Sequence, residues 1–100
     1  MRHIKFHIGR IEAIGNREAL VGGRCCGDEI RKGDRTKFMI KTDGVQEIMR
    51  RELMIIFHTI RADDREIDLV SPGMTAGIII PDSLAEQMHL NWSLEGECAD

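Results

Sequence analysis

Apolar and polar side chains alternate from the start of the chain. Ile4, Phe6 and Ile8 occupy every second position, which predicts a strand with one buried face. Gly9 breaks the alternation and predicts a bulge. Turn signals rich in Gly, Asp, Asn and Pro then recur about every 8–12 residues, a spacing typical of a small β-sandwich or barrel.

Further elements follow from the same kind of pattern. Strands are predicted at residues 19–26, 36–41, 75–80 and 90–94. Residues 27–33 form a polar loop with one apolar anchor, Ile30, and Asp43-Gly44 predicts a hairpin turn. A short helix is expected near residues 83–89, with Asp82 or Ser83 as its N-cap.

Residues 45–60 fit two structures. Val45, Ile48 and Met49 begin an apolar stripe with helical spacing that continues to Ile60. Residues 53–60 are also short and rich in β-branched side chains, as in a buried strand. Periodicity alone does not separate the two, so helix remains the alternative. We predict a strand because the neighbouring elements are all β.

Length and composition limit the classes of protein to which this chain can belong. The chain has 100 residues, 42% of them hydrophobic, which suits one domain, residues 1–100, with its own core and no need of a metal or disulfide. Cys25 and Cys26 are adjacent, which argues against a disulfide framework. The N-terminal residues lack the apolar run of a signal peptide, and no run approaches a membrane span. We therefore expect a cytoplasmic protein without a membrane partner.

One run of residues carries a family signature. The residues that carry it are Val21, Gly23, Arg24, Gly27, Ile30, Gly33 and Asp34. This hairpin resembles the one in the second domain of translational GTPases such as elongation factor Tu and initiation factor two. Apolar residues 53–60, a polar link at 63–70, the Pro72-Gly73 turn and a strand to residue 80 follow the same order.

The resemblance covers roughly residues 4–80 and implies a shape. It implies an all-β, six- to seven-stranded Greek-key barrel, here with one short helix near residues 83–89. The chain has no Gly-x-x-x-x-Gly-Lys-Ser/Thr phosphate loop, so the GTPase activity of the family does not carry over. The family's contacts with RNA and the ribosome are an alternative function that the resemblance implies.

Basic residues are candidates for contact with a partner or with RNA. Arg and Lys cluster around residues 31–37 and at residues 50–51, and the candidates are Arg24, Arg31, Lys32, Arg50 and Arg51. Acidic residues such as Glu29 and Glu52 are interleaved with them, and the net charge is -3. Nucleic-acid-binding domains usually carry a basic face. An ordinary mixed-charge surface is therefore the favoured interpretation.

The sequence shows no group of residues with the spacing of a catalytic or metal-binding site. His3 and His7 share one face of the first strand, but the other histidines and cysteines are scattered and lack metal-ligand spacing. Adjacent strand residues face opposite sides, so one of Cys25 and Cys26 is expected in the core. We predict no cofactor, no metal and no enzymatic activity. The favoured hypothesis is a binding or adaptor module that engages a protein partner or itself, for which an open edge strand is one physical route.

Overall fold

The computed structural model describes residues 1–100. The chain forms ten strands and one helical turn. The strands are β1 (Arg2–Gly15), β2 (Glu18–Cys25), β3 (Ile30–Arg31), β4 (Arg35–Thr42), β5 (Glu47–Ile56), β6 (Ile60–Ala62), β7 (Arg65–Ile67), β8 (Leu69–Val70), β9 (Thr75–Pro81) and β10 (Ser93–Cys98). The helix α1 (Asp82–Ala85) lies between β9 and β10.

Eight strands form one antiparallel sheet in the order β5-β4-β10-β1-β2-β9-β6-β7, and β3 pairs with β8 in a separate two-stranded sheet. The last strand, β10, lies between β4 and β1. The ladder between β1 and β2 shifts register at Gly9, where a bulge was predicted. The all-β class and the short helix are confirmed.

The sheet does not close into a barrel. Its edges are β5 and β7, and no ladder joins them. The backbone hydrogen bond from the Phe57 amide to the Asp34 carbonyl extends the β4–β5 pairing, and the one from the Lys32 amide to the Asp68 carbonyl extends the β3–β8 pairing. Closure needs strands long enough to keep a continuous register. Four strands have only two or three residues each, namely β3, β6, β7 and β8. Because the structure contains these short strands, the total is ten rather than the predicted six or seven.

The ambiguous stretch contains a strand, as predicted. Leu53, Ile55 and Phe57 are buried at every second position, which is strand periodicity. The turn before β5 forms at Asp43-Gly44, where Gly44 has a φ of 95°. The Asp43 carboxylate accepts hydrogen bonds from the backbone amides of Val45 and Gln46, both at 2.9 Å, and so fixes the hairpin.

Two boundary predictions near the C-terminus are wrong. The N-cap of α1 is Pro81, whose backbone is extended, and no side chain caps the helix. The N-cap lies one residue before Asp82 and two before Ser83, the two predicted caps, because β9 runs directly into the helix. The closing strand begins at Ser93 rather than at residue 90, since Asn91 takes a φ of 70° and turns the chain just before it.

The core is one cluster of 19 buried residues drawn from strands across both sheets and from α1. Phe6 of β1 and Phe57, just after β5, meet edge to face with ring centroids 5.7 Å apart. In the sheet order β1 and β5 are separated by two strands, so this contact requires the sheet to curl around the core. Large side chains buried this completely contribute about 1.5–3 kcal/mol each.

Candidate functional site

The residues of the signature hairpin lie in tight packing positions. A methyl group at Gly27 would lie 2.5 Å from the carbonyl oxygen of His3, and one at Gly23 would lie 2.5 Å from the Phe6 ring. Ile30 is fully buried. Gly33 and Gly73 have φ values of 91° and 85°, the left-handed conformation that glycine adopts without strain. These residues let β2 approach β1 closely and shape the loops.

Asp34 is the charged member of the signature, and its partner is Arg2. The Arg2 guanidinium donates two hydrogen bonds to the Asp34 carboxylate, at 2.6 and 2.8 Å. Arg2 also donates to the carbonyls of Glu29 and Ala99, both at 2.9 Å. The pair therefore joins the start of β1, the loop before β3 and the C-terminal residues. The sequence analysis missed Arg2, although it occupies an inward-facing position of the alternation that continues through Ile4 and Phe6.

The electrostatics of this pair favour the charged forms. Burial alone would raise the pKa of Asp34, but hydrogen bonds from Arg2 and from the Arg31 amide outweigh it and lower that pKa. The hydrogen bond to Asp34 raises the pKa of Arg2. Four of the five N–H groups of Arg2 and both carboxylate oxygens of Asp34 bond to protein groups, so the role of this buried pair is structural.

The five basic candidates do not form one patch. Three of them are paired with carboxylates, Arg31 with Glu29 at 2.9 Å, Lys32 with Glu66 at 3.4 Å and Arg50 with Glu47 at 2.7 Å. Arg24 donates to the Gly73 carbonyl at 3.1 Å. Three strands separate its strand, β2, from β5, which carries Arg50 and Arg51. These residues lie on several parts of the surface.

Arg50 and Arg51 point to opposite faces of β5, and each contacts an aromatic ring. The Arg50 guanidinium lies 4.5 Å from the centroid of Phe38. The Arg51 guanidinium lies 5.6 Å from the centroid of Trp92, whose other neighbour is His89 with ring centroids 4.7 Å apart. Cation–π contacts at exposed sites are worth about 0.5–1 kcal/mol. Arg51 forms no ion pair.

β5 is the longest edge of the sheet, and its first half extends beyond the core. Residues 47–52 are all exposed. The apolar side chains of this region are exposed too, Val45 by 94%, Ile48 by 55%, Met49 by 44% and Met54 by 52%. We call these four residues, with the side of β5 that faces away from β4, the β5 edge. No other segment of the chain pairs with that side.

A shallow groove of about 1120 Å³ lies on the outer face of β1, β2, β9 and β6. One cross-strand row forms its floor: Arg10 is opposite Gly22, Gly22 is opposite Gly77, and Gly77 is opposite Arg61. Side chains cover both glycines, because a methyl group at Gly77 would lie 2.7 Å from Leu20 and one at Gly22 would lie 3.5 Å from Arg10. Arg10 and Arg61 were not among the sequence candidates, because only the strand register brings them into one row.

The thiols and imidazoles give no catalytic or metal-binding arrangement. Cys25 is fully buried, as expected for one of the adjacent pair, and its Sγ donates to the Asp28 carbonyl at 3.1 Å. Burial raises the pKa of the Cys25 thiol, which disfavours a reactive thiolate. His3 lies 3.2 Å from the Glu95 carboxylate on the outer face. No group of three or more His, Cys, Asp or Glu side chains is arranged to hold a metal ion.

None of the helical segments has the length and apolar character required to span a bilayer. Neither protein-family models nor curated proteins give a match to this chain. The resemblance to the translation-factor barrel domain therefore stays a prediction.

Proposed function

We propose that this chain is a non-enzymatic binding module and that its binding surface for protein is the β5 edge. The observation that carries the proposal is the exposure of residues 47–52 on the outermost strand of the sheet. An edge strand presents unpaired N–H and C=O groups, and an incoming strand satisfies them while its side chains find pockets between alternate residues.

The apolar side chains of the β5 edge favour a protein partner over a nucleic acid. Ile48, Met49 and Met54 are each exposed by about half, and Val45 is almost fully exposed at the hairpin turn. Covering an exposed side chain of this size completely contributes about 1.5–3 kcal/mol. Exposed apolar side chains next to unpaired backbone groups favour contact with another protein segment.

Site-specific photocrosslinking in cells tests the proposal. A photoreactive residue in place of Val45 is expected to give protein adducts, and the substitution Ile48→Lys in the same chain is expected to abolish them. The control places the photoreactive residue at Leu69, an exposed apolar residue of β8 that lies off the β5 edge. Adducts that are equally abundant at Leu69, or that survive Ile48→Lys, would contradict a binding site on β5.

RNA binding is the second candidate, and the groove on the outer face of β1, β2, β9 and β6 is the observation that favours it. Arg10 and Arg61 lie at the two ends of one cross-strand row on this concave surface, where phosphate oxygens could accept from both guanidinium groups. Asp63 and Asp64 line the same groove and oppose this, as does the net charge of -3.

Salt-dependent binding of a single-stranded RNA oligonucleotide tests this second function. If the groove binds phosphate, the double variant Arg10→Gln, Arg61→Gln should bind more weakly, and the slope of log affinity against log salt should fall by about 0.7 per lost contact. Arg65→Gln, at an exposed residue of β7, is the matched control. Equal affinity for the double variant and the control would dismiss RNA binding in the groove.

A further inference from the structure

We propose that Arg51, His89 and Trp92 form a binding site for a carboxylate group of a peptide. The three side chains contact one another where β5 meets the loop that connects α1 to β10. The inference goes beyond the proposed function, because this site lies on one face of the sheet and needs no strand along the β5 edge.

The strand register places Arg51 on the face of the sheet that packs against the core. Arg51 is opposite Met39 in the ladder between β5 and β4. The same row continues through Leu94 of β10 to Phe6 of β1, and these three side chains are buried. Arg51 is exposed at the open end of the row, so its guanidinium lies where the core ends and solvent begins.

Arg50, the neighbouring residue of β5, shows how a guanidinium of this strand is neutralised. It lies over the Phe38 ring and donates two hydrogen bonds to Glu47, at 3.0 and 2.7 Å. Arg51 also lies over an aromatic ring, that of Trp92, but it forms no ion pair with a carboxylate of the chain. Arg51 therefore has the ring contact of Arg50 without the anion.

His89 supplies a second donor beside the guanidinium. Its Nε2 atom lies 3.5 Å from Nη1 of Arg51, beyond the range of about 2.7–3.2 Å of a well-formed hydrogen bond. Imidazole donates from Nε2 in one neutral tautomer and in its protonated form. A carboxylate oxygen between the two nitrogens would accept from both, and hydrogen bonds between charged partners are among the strong ones.

Trp92 holds the two donors on one surface. The Arg51 guanidinium lies 5.6 Å from the centroid of the indole, and the centroid of the His89 ring lies 4.7 Å from it. The indole is itself partly buried against the core. Donors that are held in place before binding lose less conformational entropy when a ligand arrives.

Met49 favours a carboxylate that is attached to an apolar group. It precedes Arg51 by two residues in a regular part of the ladder, so both side chains are on the same face of β5. Met49 is exposed by 44%. An apolar side chain beside the carboxylate would cover it and remove apolar surface from water, whereas inorganic phosphate would leave it exposed.

Titration with capped dipeptides tests the proposal, and the fluorescence of Trp92, the only tryptophan of the chain, reports on the site. N-acetyl-leucyl-leucine carries a terminal carboxylate, N-acetyl-glutamyl-leucinamide carries a side-chain carboxylate, and N-acetyl-leucyl-leucinamide carries neither. At constant ionic strength, at least one acid should bind about fivefold or more tightly than the neutral peptide, because hydrogen bonds to charged groups are stronger. The tighter acid identifies the source of the carboxylate.

Substitutions at the two donors give the controls. Arg51→Gln should lower the affinity for the acid to that of the neutral peptide. His89→Phe keeps a ring against Trp92 and should weaken binding of the acid by about threefold through loss of the donor. Arg50→Gln removes a guanidinium from the opposite face and should leave the affinity within about twofold. All three positions are exposed, so the variants should stay folded, which circular dichroism checks.

Amide NMR spectra of the unmodified chain give a second measurement. Addition of the acid should shift the signals of residues 49–51 and 89–92 most strongly. Equal affinity for the acids and the neutral peptide would overturn the carboxylate site. Equal weakening by Arg51→Gln and Arg50→Gln, or shifts centred on the groove of Arg10 and Arg61, would overturn it too. The Val45 photocrosslinks test the β5 edge separately, so failure of one proposal is distinguishable from failure of the other.

Discussion

The guanidinium of Arg2 and the carboxylate of Asp34 face each other through two hydrogen bonds of 2.6 and 2.8 Å, with both side chains more than nine-tenths buried. Removal of one partner from a buried ion pair leaves an uncompensated charge and typically costs about 3–5 kcal/mol. This relationship joins residues 32 positions apart and gives the signature position Asp34 a structural role.

Asp34→Asn should therefore destabilise the chain by about 3–5 kcal/mol. The amide keeps the size of the side chain but leaves the Arg2 charge unpaired. Urea unfolding followed by circular dichroism measures the loss. The control Glu29→Gln removes the carboxylate of an exposed ion pair with Arg31, and its effect should stay below about 1 kcal/mol. Equal losses for the two variants would show that burial of the Arg2–Asp34 pair does not govern its contribution.

The same pair predicts an acid-dependent loss of stability. Folding lowers the pKa of Asp34, so below about pH 4, its ordinary range, the unfolded chain binds the proton more readily than the folded chain. The stabilisation is fully present above that range and is lost as the pH falls towards the lowered folded-state pKa. Unfolding free energies measured from about pH 2 to 6 should fall less steeply with acid for Asp34→Asn than for the unmodified chain. Parallel profiles would contradict a lowered Asp34 pKa.

Thr36→Val should stabilise the fold. The Thr36 hydroxyl is fully buried and has no hydrogen-bond partner, and valine has nearly the same shape. Removal of an unsatisfied buried hydroxyl is expected to gain about 1–2 kcal/mol. Thr42→Val, at the exposed end of β4, is the control and should change stability little. A destabilised Thr36→Val variant would mean that the hydroxyl is satisfied in the folded chain.

Adjacent glycines of β2 should respond differently to alanine. A methyl group at Gly23 would lie 2.5 Å from the Phe6 ring, whereas one at Gly22 would lie 3.5 Å from Arg10 in ordinary contact. Gly23→Ala is therefore expected to cost about 1–3 kcal/mol through overpacking of β1 against β2. Gly22→Ala should lie within about 0.5–1 kcal/mol of the unmodified chain. Thermal unfolding compares the two, and equal losses would rule out close packing as the reason for glycine at position 23.

Local signals predicted most elements, because strand alternation and turn residues act over a few positions. The alternation at Ile4, Phe6 and Ile8 and the turn at Asp43-Gly44 correspond to β1 and to the β4–β5 hairpin. For residues 45–60, the strand was predicted from the neighbouring β elements, because the apolar periodicity of the stretch itself fits both a helix and a strand. The predicted caps at Asp82 and Ser83 failed because β9 continues into the helix without a free turn.

The candidate surfaces were harder to predict. Three basic candidates are close in sequence but contact different partners: Arg24 contacts Gly73, Arg31 contacts Glu29 and Lys32 contacts Glu66. Arg10 and Arg61, which share a cross-strand row, are 51 positions apart, so no local pattern connects them. The exposure of Ile48 and Met49 depends on where the core ends, which the apolar pattern does not encode.

The sequence by itself determined the all-β class, the positions of the main turns and the buried face of the first half of β1, since these depend on period and backbone preference within a few residues. The tertiary structure alone decided three things: the partner of Arg2, the open sheet with β5 at its edge, and the row that joins Arg10 to Arg61. Each of these depends on strand order and register, which arise from packing between distant segments around a common core.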